Sequence, residues 1–486
     1  MKLISNLLLW GGILLLPLNS YAQFTKGLSY RAETGVSFSG GEHTPFWLTA
    51  NKQGLSSIEK NNGYLRAGVF REFENDKRFS YAFGADLAVA YNFTSTFVVQ
   101  QLYADLKYRC LGLSIGSKER HSEFNNPLLS SGGLTFSGNA RPIPQVRIGI
   151  PEYTLVPGTK GWLAFKGHIA YGMFTDDGWQ KDFVAPGGKH TEHVLYHSKD
   201  LYVKIGNQEK FPLIFEGGLE MAAQFGGNAF RGNEKIDMPN GIKDFFKVFI
   251  PSGGSSDTPM GEQTNIYGNH LGSWNFSLTW YAPKDWTIRP YYEHYFEDHS
   301  QMFGEYGWKD CLAGVEITFP KNPVISGFVY EYISTKDQTG PVYWDHTPEI
   351  PEQVSGSDNY YNHGIYTGWQ HWGMGIGNPL VMSPIYNTDG DISFKSSRMQ
   401  GHHFGIMGTS CADLQYRVLL SVTRNWGTYG VPFYEIKKNG NALVELIYTP
   451  HQLKGWDFTG SLGIDRGAML GKSVGGMLTI RKTGWI

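Results

Sequence analysis

The sequence has few cysteines, no large excess of charge and almost no long apolar segment. Its three cysteines, Cys110, Cys311 and Cys411, allow at most one disulfide and do not have the spacing of metal ligands. This excludes a small secreted scaffold held together by disulfides. The 42 Lys and Arg nearly balance the 44 Asp and Glu, giving a net charge of −2, so the charge indicates no nucleic acid partner.

Beyond residue 22, no apolar stretch approaches the roughly 18 to 20 residues of a transmembrane helix, and the mean hydropathy is −0.31. This excludes a helical membrane protein. The start of the chain differs, with Met1-Lys2 as a positive region, an apolar stretch from Ile4 to Leu18, and small side chains at Ser20 and Ala22. These features predict a signal peptide over residues 1–22, cleaved before Gln23, and therefore an exported protein.

Aromatic residues are abundant, at 15% of the chain, and they follow a period of two along residues 79–93. Side chains alternate across a strand, so the apolar series from Phe79 to Phe93 shares one face, while Ser80 and Asp86 lie on the other. Soluble strands usually have about 5 to 6 residues, whereas tilted strands that cross a bilayer need about 9 to 11 and end in aromatic residues. The length of this segment predicts a transmembrane strand with one face toward lipid and one toward a polar lumen.

The same alternation recurs along residues 101–108, 274–280, 413–423, 456–465 and 474–481, with no linker that would divide domains. We therefore predict an all-β protein, a transmembrane antiparallel β-barrel that forms a single domain over residues 23–486. Those 464 residues, at about 26 per strand, give roughly 18 strands.

Four stretches rich in Gly, Pro, Asn and Asp interrupt the alternation, at residues 118–142, 176–192, 228–272 and 335–400. Because outer-membrane barrels keep their long loops outside the cell, we expect these to be extracellular loops that close or plug the mouth of the barrel. Residues 242–249 are predicted to form a short helix that packs into the lumen or over its mouth.

Several short motifs, in their order and spacing, carry a resemblance that covers nearly all of the mature chain. They are FWLTAN (46–51), SGNARPIPQVRIGIP (137–151), GWLAFKG (161–167), YGMFTD (171–176), GNHLG (268–272), NHGIYTGW (362–369), GNPL (377–380) and GHHFG (401–405). With these motifs the sequence resembles the Wzi-type capsule-assembly proteins, in the divergent form common in Bacteroides-like bacteria.

The resemblance implies an outer-membrane barrel of 18 strands, closed by its extracellular loops, that binds capsular polysaccharide and helps to hold the capsule on the cell surface. Enterobacterial relatives add a periplasmic helical bundle, and no block of this sequence has a matching helical pattern. The expected partners are capsular polysaccharide, outer-membrane lipid and the barrel-assembly machinery, and we expect a monomer without a cofactor.

The candidate polysaccharide-binding residues lie in or beside these motifs and carry aromatic, amide, imidazole or charged side chains. Sugar faces stack on aromatic rings, and amide or charged groups bind sugar hydroxyls. For each ring the alternative is an aromatic girdle or simple loop packing, and for Arg141 it is a lumen ion pair with Asp176 or Asp177. The candidates are Asn139, Arg141, Asp176, Trp179, His270, Trp369, His371, Trp372 and His402.

Metal and nucleotide sites are not predicted. His402 and His403 are adjacent and would point to opposite faces of a strand, so they cannot share an ion. The glycines at 373, 375 and 377 lack the strand and helix of a nucleotide-binding loop. Residues 387–391 (NTDGD) can supply oxygens to Ca²⁺, but they have fewer acidic ligands than a dedicated loop, which favours a solvated turn.

Three functions are compatible with such a barrel. The first is a polysaccharide-binding protein that anchors capsule without catalysis, the second is a diffusion pore or sugar channel, and the third is a barrel hydrolase. A hydrolase needs a nucleophile within hydrogen-bond reach of a base, and no Ser, His and acid grouping stands out at the required strand parity. The sequence therefore favours the first function.

Overall fold

The computed structural model describes residues 27–74, 77–254, 258–259, 266–297, 299–304, 307–340, 343–344 and 354–486. The predicted signal peptide, residues 1–22, lies outside the described residues. An antiparallel sheet of 18 strands closes on itself through pairing of its first and last strands, Ser29 with Trp485 through Gly41 with Ser473. The predicted fold class is confirmed. In the described part of the chain, no helix has the length and apolar character needed to cross a membrane.

The barrel strands, numbered in chain order, are mostly longer than strands of soluble domains. They are β1 Leu28–Gly41, β2 Asn61–Arg71, β3 Phe79–Tyr91, β4 Phe97–Tyr108, β5 Leu111–Ser117, β6 Gln145–Leu155, β7 Leu163–Met173, β8 Leu195–Ile205, β9 Leu213–Phe225, β10 Asn269–Ala282, β11 Trp286–Phe296, β12 Cys311–Thr318, β13 Gly327–Ser334, β14 Arg398–Cys411, β15 Leu414–Gly427, β16 Pro432–Tyr448, β17 Trp456–Gly467 and β18 Gly471–Trp485.

Shorter elements lie in the connections between these strands. The helices are α1 Phe46–Thr49, α2 Asp177–Phe183, α3 Ile242–Phe249 and α4 His299–Met302, and Pro384–Tyr386 forms one 3₁₀ turn. A small sheet joins His190–Glu192, Gly227–Arg231 and Glu234–Met238, and two-residue strands pair at Tyr343–Trp344 with Val354–Ser355 and at Gln370–His371 with Met374–Gly375.

The outer face of the barrel wall carries the apolar residues of each alternating pattern. On β3 the side chains of Phe79, Leu87 and Tyr91 are exposed on the outside, whereas Ser80 and Asp86 are buried inside. The predicted parity of this strand is confirmed as far as Tyr91. Phe93 departs from it, because the chain turns at Asn92, which has a φ of 57°, and the Phe93 ring then packs 6.2 Å from Tyr64 on the inner side.

All long connections leave one end of the barrel. They span residues 42–60, 118–144, 174–194, 226–268 and 335–397, while the other end has short turns such as 109–110 and 412–413 together with Leu28 and Trp485. Four of these five connections match the predicted loops, and residues 42–60 were not predicted to form one. By the rule for outer-membrane barrels, the end with the long connections faces the outside.

The long connections fold into the barrel, and residues 124–129 reach its short-turn half, where the Arg289 guanidinium donates to the Phe124 carbonyl at 2.7 Å. Trp47, Leu129, Leu134 and Trp369 from three connections are fully buried against one another and against inward-facing wall residues, of which Ile333 is one. We call this inserted mass, contributed by residues 42–60, 118–144 and 360–397, the plug. The lumen is therefore not lined by polar groups throughout, because some inward wall positions next to the plug, such as Ile333, are apolar.

Carboxylates of the wall accept hydrogen bonds from the backbone of the plug. Glu331 accepts from the Ser131 amide at 2.8 Å, and Glu293 accepts from the amides of Leu134 at 2.8 Å and Thr135 at 3.2 Å. These bonds satisfy amides that burial would otherwise leave without partners. The plug is thus fixed to the wall by directed contacts as well as by apolar packing.

Candidate functional site

Most of the predicted binding residues meet in the plug, where they form hydrogen bonds and ring contacts with one another and with neighbouring loop residues. Asn139 donates from Nδ2 to the Gly375 carbonyl at 2.9 Å and accepts from the Asn51 amide at 3.2 Å. His371 donates from Nδ1 to the Arg141 carbonyl at 3.0 Å, and its Nε2 accepts from the Thr175 amide at 3.2 Å and lies 3.0 Å from the Thr175 hydroxyl. These side chains join the connections 118–144, 174–194 and 335–397.

The Arg141 guanidinium lies over the Trp372 ring, 4.3 Å from its centroid, and donates to the Thr94 hydroxyl at 2.7 Å. Burial lowers its pKa to about 10, with Asp176 acting in the opposite direction. A guanidinium stacked on a partly exposed indole such as Trp372 gains a cation–π contact of about 0.5–1 kcal/mol. Within the described residues no ion pair joins Arg141 to Asp176 or Asp177.

Asp176 is fully buried and organises the start of α2. Its Oδ2 accepts from the Trp372 amide at 3.1 Å and from the Gln370 side chain at 3.1 Å. The next residue, Asp177, accepts from the His193 amide at 3.0 Å. Asp176 thus ties the start of α2 to the hairpin that contains Trp372, and Asp177 ties it to His193.

Trp369 is fully buried. Its indole donates to the Thr135 carbonyl at 2.8 Å and stacks on Tyr196 with a centroid distance of 6.0 Å. Tyr361 and Tyr366 beside it are equally buried. This ring cannot reach a polymer outside the barrel without opening the plug, which matches the packing alternative for this position.

His270 and His402 both lie on the outer side of the wall, away from the plug. His270 is buried beneath the connection 226–268, with Nε2 3.1 Å from the Tyr267 carbonyl. His402 is exposed on β14, with Nδ1 2.9 Å from the Tyr330 hydroxyl, whereas its neighbour His403 points inward to the Leu129 carbonyl at 2.8 Å. The opposite orientations of His402 and His403 follow the strand alternation.

Of the predicted residues, Trp179 lines an open cleft of about 610 Å³ at the outer end of the barrel. The cleft lies between α2, the 3₁₀ turn, the connection 42–60 and the turn 92–96. Its lining residues are Glu42, His43, Ser57, Ile58, Glu59, Asn92, Phe93, Thr94, Trp179, Phe183, Ile385, Tyr386, Asn387 and Thr388.

Two aromatic pairs form the walls of the cleft. Trp179 and Phe183, one turn apart on α2, stack at 4.9 Å, and Tyr386 meets His43 edge to face at 5.4 Å. Helical spacing brings residues four apart to the same face, which explains the first pair. The Tyr386 hydroxyl lies 3.0 Å from the Thr49 hydroxyl, which fixes its ring.

The rim of the cleft is polar and acidic. Glu42, Glu59, Asn92 and Thr388 are exposed, and Glu42 and Glu59 are the charged residues among the described lining residues. Burial lowers the pKa of His43, so this ring is neutral at neutral pH. The cleft can therefore stack flat apolar faces against its rings and accept hydrogen bonds from hydroxyls at its rim.

Sequence reasoning missed His43, Phe183 and Tyr386. They come from three separate connections and share no motif or spacing. The one available signal was the FWLTAN motif, which begins three residues after His43 and supplies Thr49, the partner of Tyr386.

A Ser, His and acid grouping does occur, contrary to the sequence expectation. On the inner wall His168 of β7 lies opposite Asp200 of β8, with Nδ1 2.8 Å from Oδ2, and Nε2 lies 3.0 Å from the Ser198 hydroxyl. The three residues converge because Ser198 and Asp200 share one strand face and the register places His168 beside them. All three side chains are buried inside the barrel.

In the described part of the chain, no group of three or more His, Cys, Asp or Glu side chains has the geometry of a metal site. The three cysteines are free. In the NTDGD segment, Lys395 pairs with Asp389 at 2.9 Å and with Asp391 at 2.6 Å. The Lys395 ammonium already pairs with both carboxylates that a calcium ion would need.

Comparison with solved structures places this geometry among outer-membrane barrels. Wzi of Escherichia coli, an outer-membrane protein involved in group 1 capsule assembly and described as a carbohydrate-binding β-barrel, is 13% identical, with a TM-score of 0.59, over 95% of this chain and 86% of that chain. OprD of Pseudomonas aeruginosa, an outer-membrane protein, is 8% identical, with a TM-score of 0.47, over 94% of each chain. No protein-family model and no curated protein sequence matches the chain. The likeness to Wzi shows a common fold, that of an outer-membrane barrel.

Proposed function

We propose that this protein binds a surface polysaccharide at the outer cleft and helps to hold it, as capsule, on the cell, without catalysing a reaction. The observation that carries the proposal is the cleft itself, with two aromatic pairs as walls and a rim of hydrogen-bonding groups. We further propose that the chain is exported by its signal peptide, is inserted by the barrel-assembly machinery and works as a monomer in the outer membrane.

The chemistry of the cleft suits carbohydrate. Pyranose rings have apolar faces that pack on aromatic side chains, and their hydroxyls donate to carboxylate and amide oxygens such as those of Glu59 and Asn92. An acidic rim repels a polyanion, so the cleft favours a neutral polymer or one that carries amino groups.

The plug supports binding over transport. It packs buried side chains from three connections inside the barrel, which supports a fixed binding platform over an open channel. The likeness in fold to a carbohydrate-binding barrel and the motif resemblance to capsule-assembly proteins agree with this function and suggest capsule as the polymer.

Retention of polymer by cells tests the proposal. The gene is deleted in an encapsulated strain and restored with the wild type, with Phe183→Ala plus Tyr386→Ala, or with the matched control Phe303→Ala. We expect polymer in the medium after deletion and with the cleft variant, and polymer on the cells with the wild type and the control. Equal retention in all strains would contradict the anchoring function.

The enzyme alternative has a direct test at Ser198. A fluorophosphonate labels a serine that is activated by a base, and we expect no labelling of the purified protein in detergent, because the Ser198 side chain is buried. Labelling that is lost in Ser198→Ala would support a hydrolase instead.

A further inference from the structure

Helix α3 lies against the outer face of the barrel wall. The prediction that residues 242–249 pack into the lumen or over its mouth is therefore wrong. Strand alternation directs Tyr171 and Phe225 outward, together with Met173 and Leu201, which are exposed. Helix α3 covers the first two, with the Phe245 ring 5.0 Å from Tyr171 and 5.1 Å from Phe225. The Tyr171 hydroxyl donates to the Phe245 carbonyl at 2.9 Å, which ties the helix to the outside of the wall.

The apolar surface of α3 is wider than its contact with the wall. Phe245 and Val248 pack toward the wall, while Ile242 and Phe246 of the helix and Ile250, the residue that caps its end, are spaced four residues apart and are 81%, 68% and 67% exposed. A period of 3.6 residues places those three on one stripe beside the wall contact. We call Ile242, Phe246 and Ile250 the exposed stripe of α3.

The height of α3 on the wall matches a membrane surface. Strand β9 starts at Leu213 beside the short turns, and Phe225, under the helix, lies twelve residues further along it. Because about 9 to 11 tilted residues cross the bilayer, Phe225 lies near the far surface of the membrane.

The remaining side of α3 is polar. Lys243 is exposed, Lys247 pairs with Asp244 at 3.2 Å, and Lys199 on the wall donates to the Phe249 carbonyl at the end of the helix. Lysines beside an apolar stripe are typical of helices that lie in the membrane surface, where the cations meet phosphate head groups.

We propose that α3 is an interfacial helix whose exposed stripe is inserted among the acyl chains of the outer leaflet. The stripe continues the lipid-facing belt of the barrel at Met173 and Leu201, so the occupant is lipid. In water these three large apolar side chains would be exposed together, which is unfavourable. Inserting them among acyl chains removes their apolar surface from water and leaves the contacts between α3 and the wall intact. This inference does not depend on polysaccharide binding.

Quenching by lipid-borne nitroxides tests the position of the helix. In a background with Cys110→Ser, Cys311→Ala and Cys411→Ser, single cysteines Phe246→Cys, Ile250→Cys and Lys243→Cys carry an environment-sensitive fluorophore. The full-length protein is inserted in phosphatidylcholine vesicles with a nitroxide on the acyl chain. Leu201→Cys is the control in lipid, and Thr388→Cys, at the cleft, is the control in water.

We expect the labels at 246 and 250 to be quenched to the same fraction as the label at 201, while labels at 243 and 388 resist acyl-chain nitroxide. Iodide in the aqueous phase should quench in the reverse order. If the labels at 246 and 250 are quenched to the same fractions as the label at 388 by both quenchers, the proposal is overturned. Protection of those labels from both quenchers would also overturn it, because a second copy of the chain would then cover the stripe.

Discussion

At the scale of the residue, neighbouring aromatics of one loop have opposite roles that residue type does not reveal. Trp369 and Trp372 are three residues apart, yet the first is sealed in the plug and the second is partly exposed beneath Arg141. Sequence reasoning grouped them because both lie in one Gly-rich loop. Which of them is buried depends on contacts with residues 135 and 141, more than 200 positions away, and no local pattern encodes that.

This difference predicts unequal effects of substitution. Trp369→Ala should destabilise the plug by about 3–5 kcal/mol, the usual cost of removing a large buried ring, whereas Trp372→Ala should cost about 1 kcal/mol through the lost cation–π contact. Hydrogen exchange of peptides from residues 118–144 measures both. Equal exchange in the two variants would contradict the assigned packing.

His363 gives the plug a dependence on pH. Its Nδ1 accepts from the Ile365 amide at 3.2 Å and the Tyr366 amide at 3.4 Å, and burial, followed by the charge of Lys189, lowers its pKa to about 4. An unfolded histidine titrates near 6.5, so the folded state binds fewer protons below that pH. Its stabilising contribution is therefore complete above about pH 6.5 and is lost as the pH falls toward about 4.

We expect exchange of residues 360–366, corrected for intrinsic rates, to increase between pH 7 and pH 4.5. His363→Asn keeps an acceptor but cannot titrate in this range, so it should reduce that increase. An unchanged increase in His363→Asn would assign the pH dependence to other groups.

At the scale of the element, the face to which each strand residue points could be predicted. It depends on the local alternation of apolar and polar residues and on the lipid and water at the two faces of the wall. Two departures arise where another rule intervenes. At Asn92 a turn ends β3 before Phe93, and in β4 a β-bulge opposite Asp86 and Leu87 places both Gln100 and Gln101 inside. Helix α3 was found from its composition, but its position on the outer wall depends on tertiary contacts.

The bulge belongs to a brace between the wall and the plug. Arg66 on β2 donates from Nε to both oxygens of Asp86 at 3.0 Å and from Nη2 to Glu119, at the start of the connection 118–144, at 2.6 Å. Gln100 donates to the same Glu119 at 2.8 Å. Removing Arg66 leaves Asp86 buried with a weaker pairing to Arg31 at 3.5 Å.

Arg66→Met should lower the free energy of unfolding by about 3–5 kcal/mol, since it leaves a buried carboxylate poorly paired. The matched control is Lys107→Met, which removes the pair with Glu152, a residue whose side chain is 77% exposed, and should cost less than about 1 kcal/mol. Urea unfolding of the protein in vesicles measures both values. Similar losses would mean that the brace does not stabilise the barrel.

At the scale of the whole molecule, the closed barrel, its number of strands and its long loops at one end could be predicted from the sequence, whereas the cleft proposed to bind polymer could not. The cleft is assembled from four connections whose spacing in the chain carries no information about their meeting point. Those connections meet because the closed wall brings successive outer ends together around one opening. A site of this kind is therefore a product of topology, and Trp179 was found because it lies beside the YGMFTD motif.

The same topology predicts which loops control permeability. Deleting residues 359–396 removes the part of the plug that carries Trp369 and Ile376, so the variant should show ion conductance in planar bilayers that the wild type lacks. Deleting residues 242–249 also removes large apolar side chains, but α3 lies on the outer face of the barrel wall, so the barrel should stay closed. Heat-modifiable migration in gels checks that both variants fold. The two deletions differ in whether the removed segment lies inside the barrel. Ion conductance of the wild type would therefore contradict a barrel sealed by its inserted loops, and so would conductance of the 242–249 deletion without conductance of the 359–396 deletion.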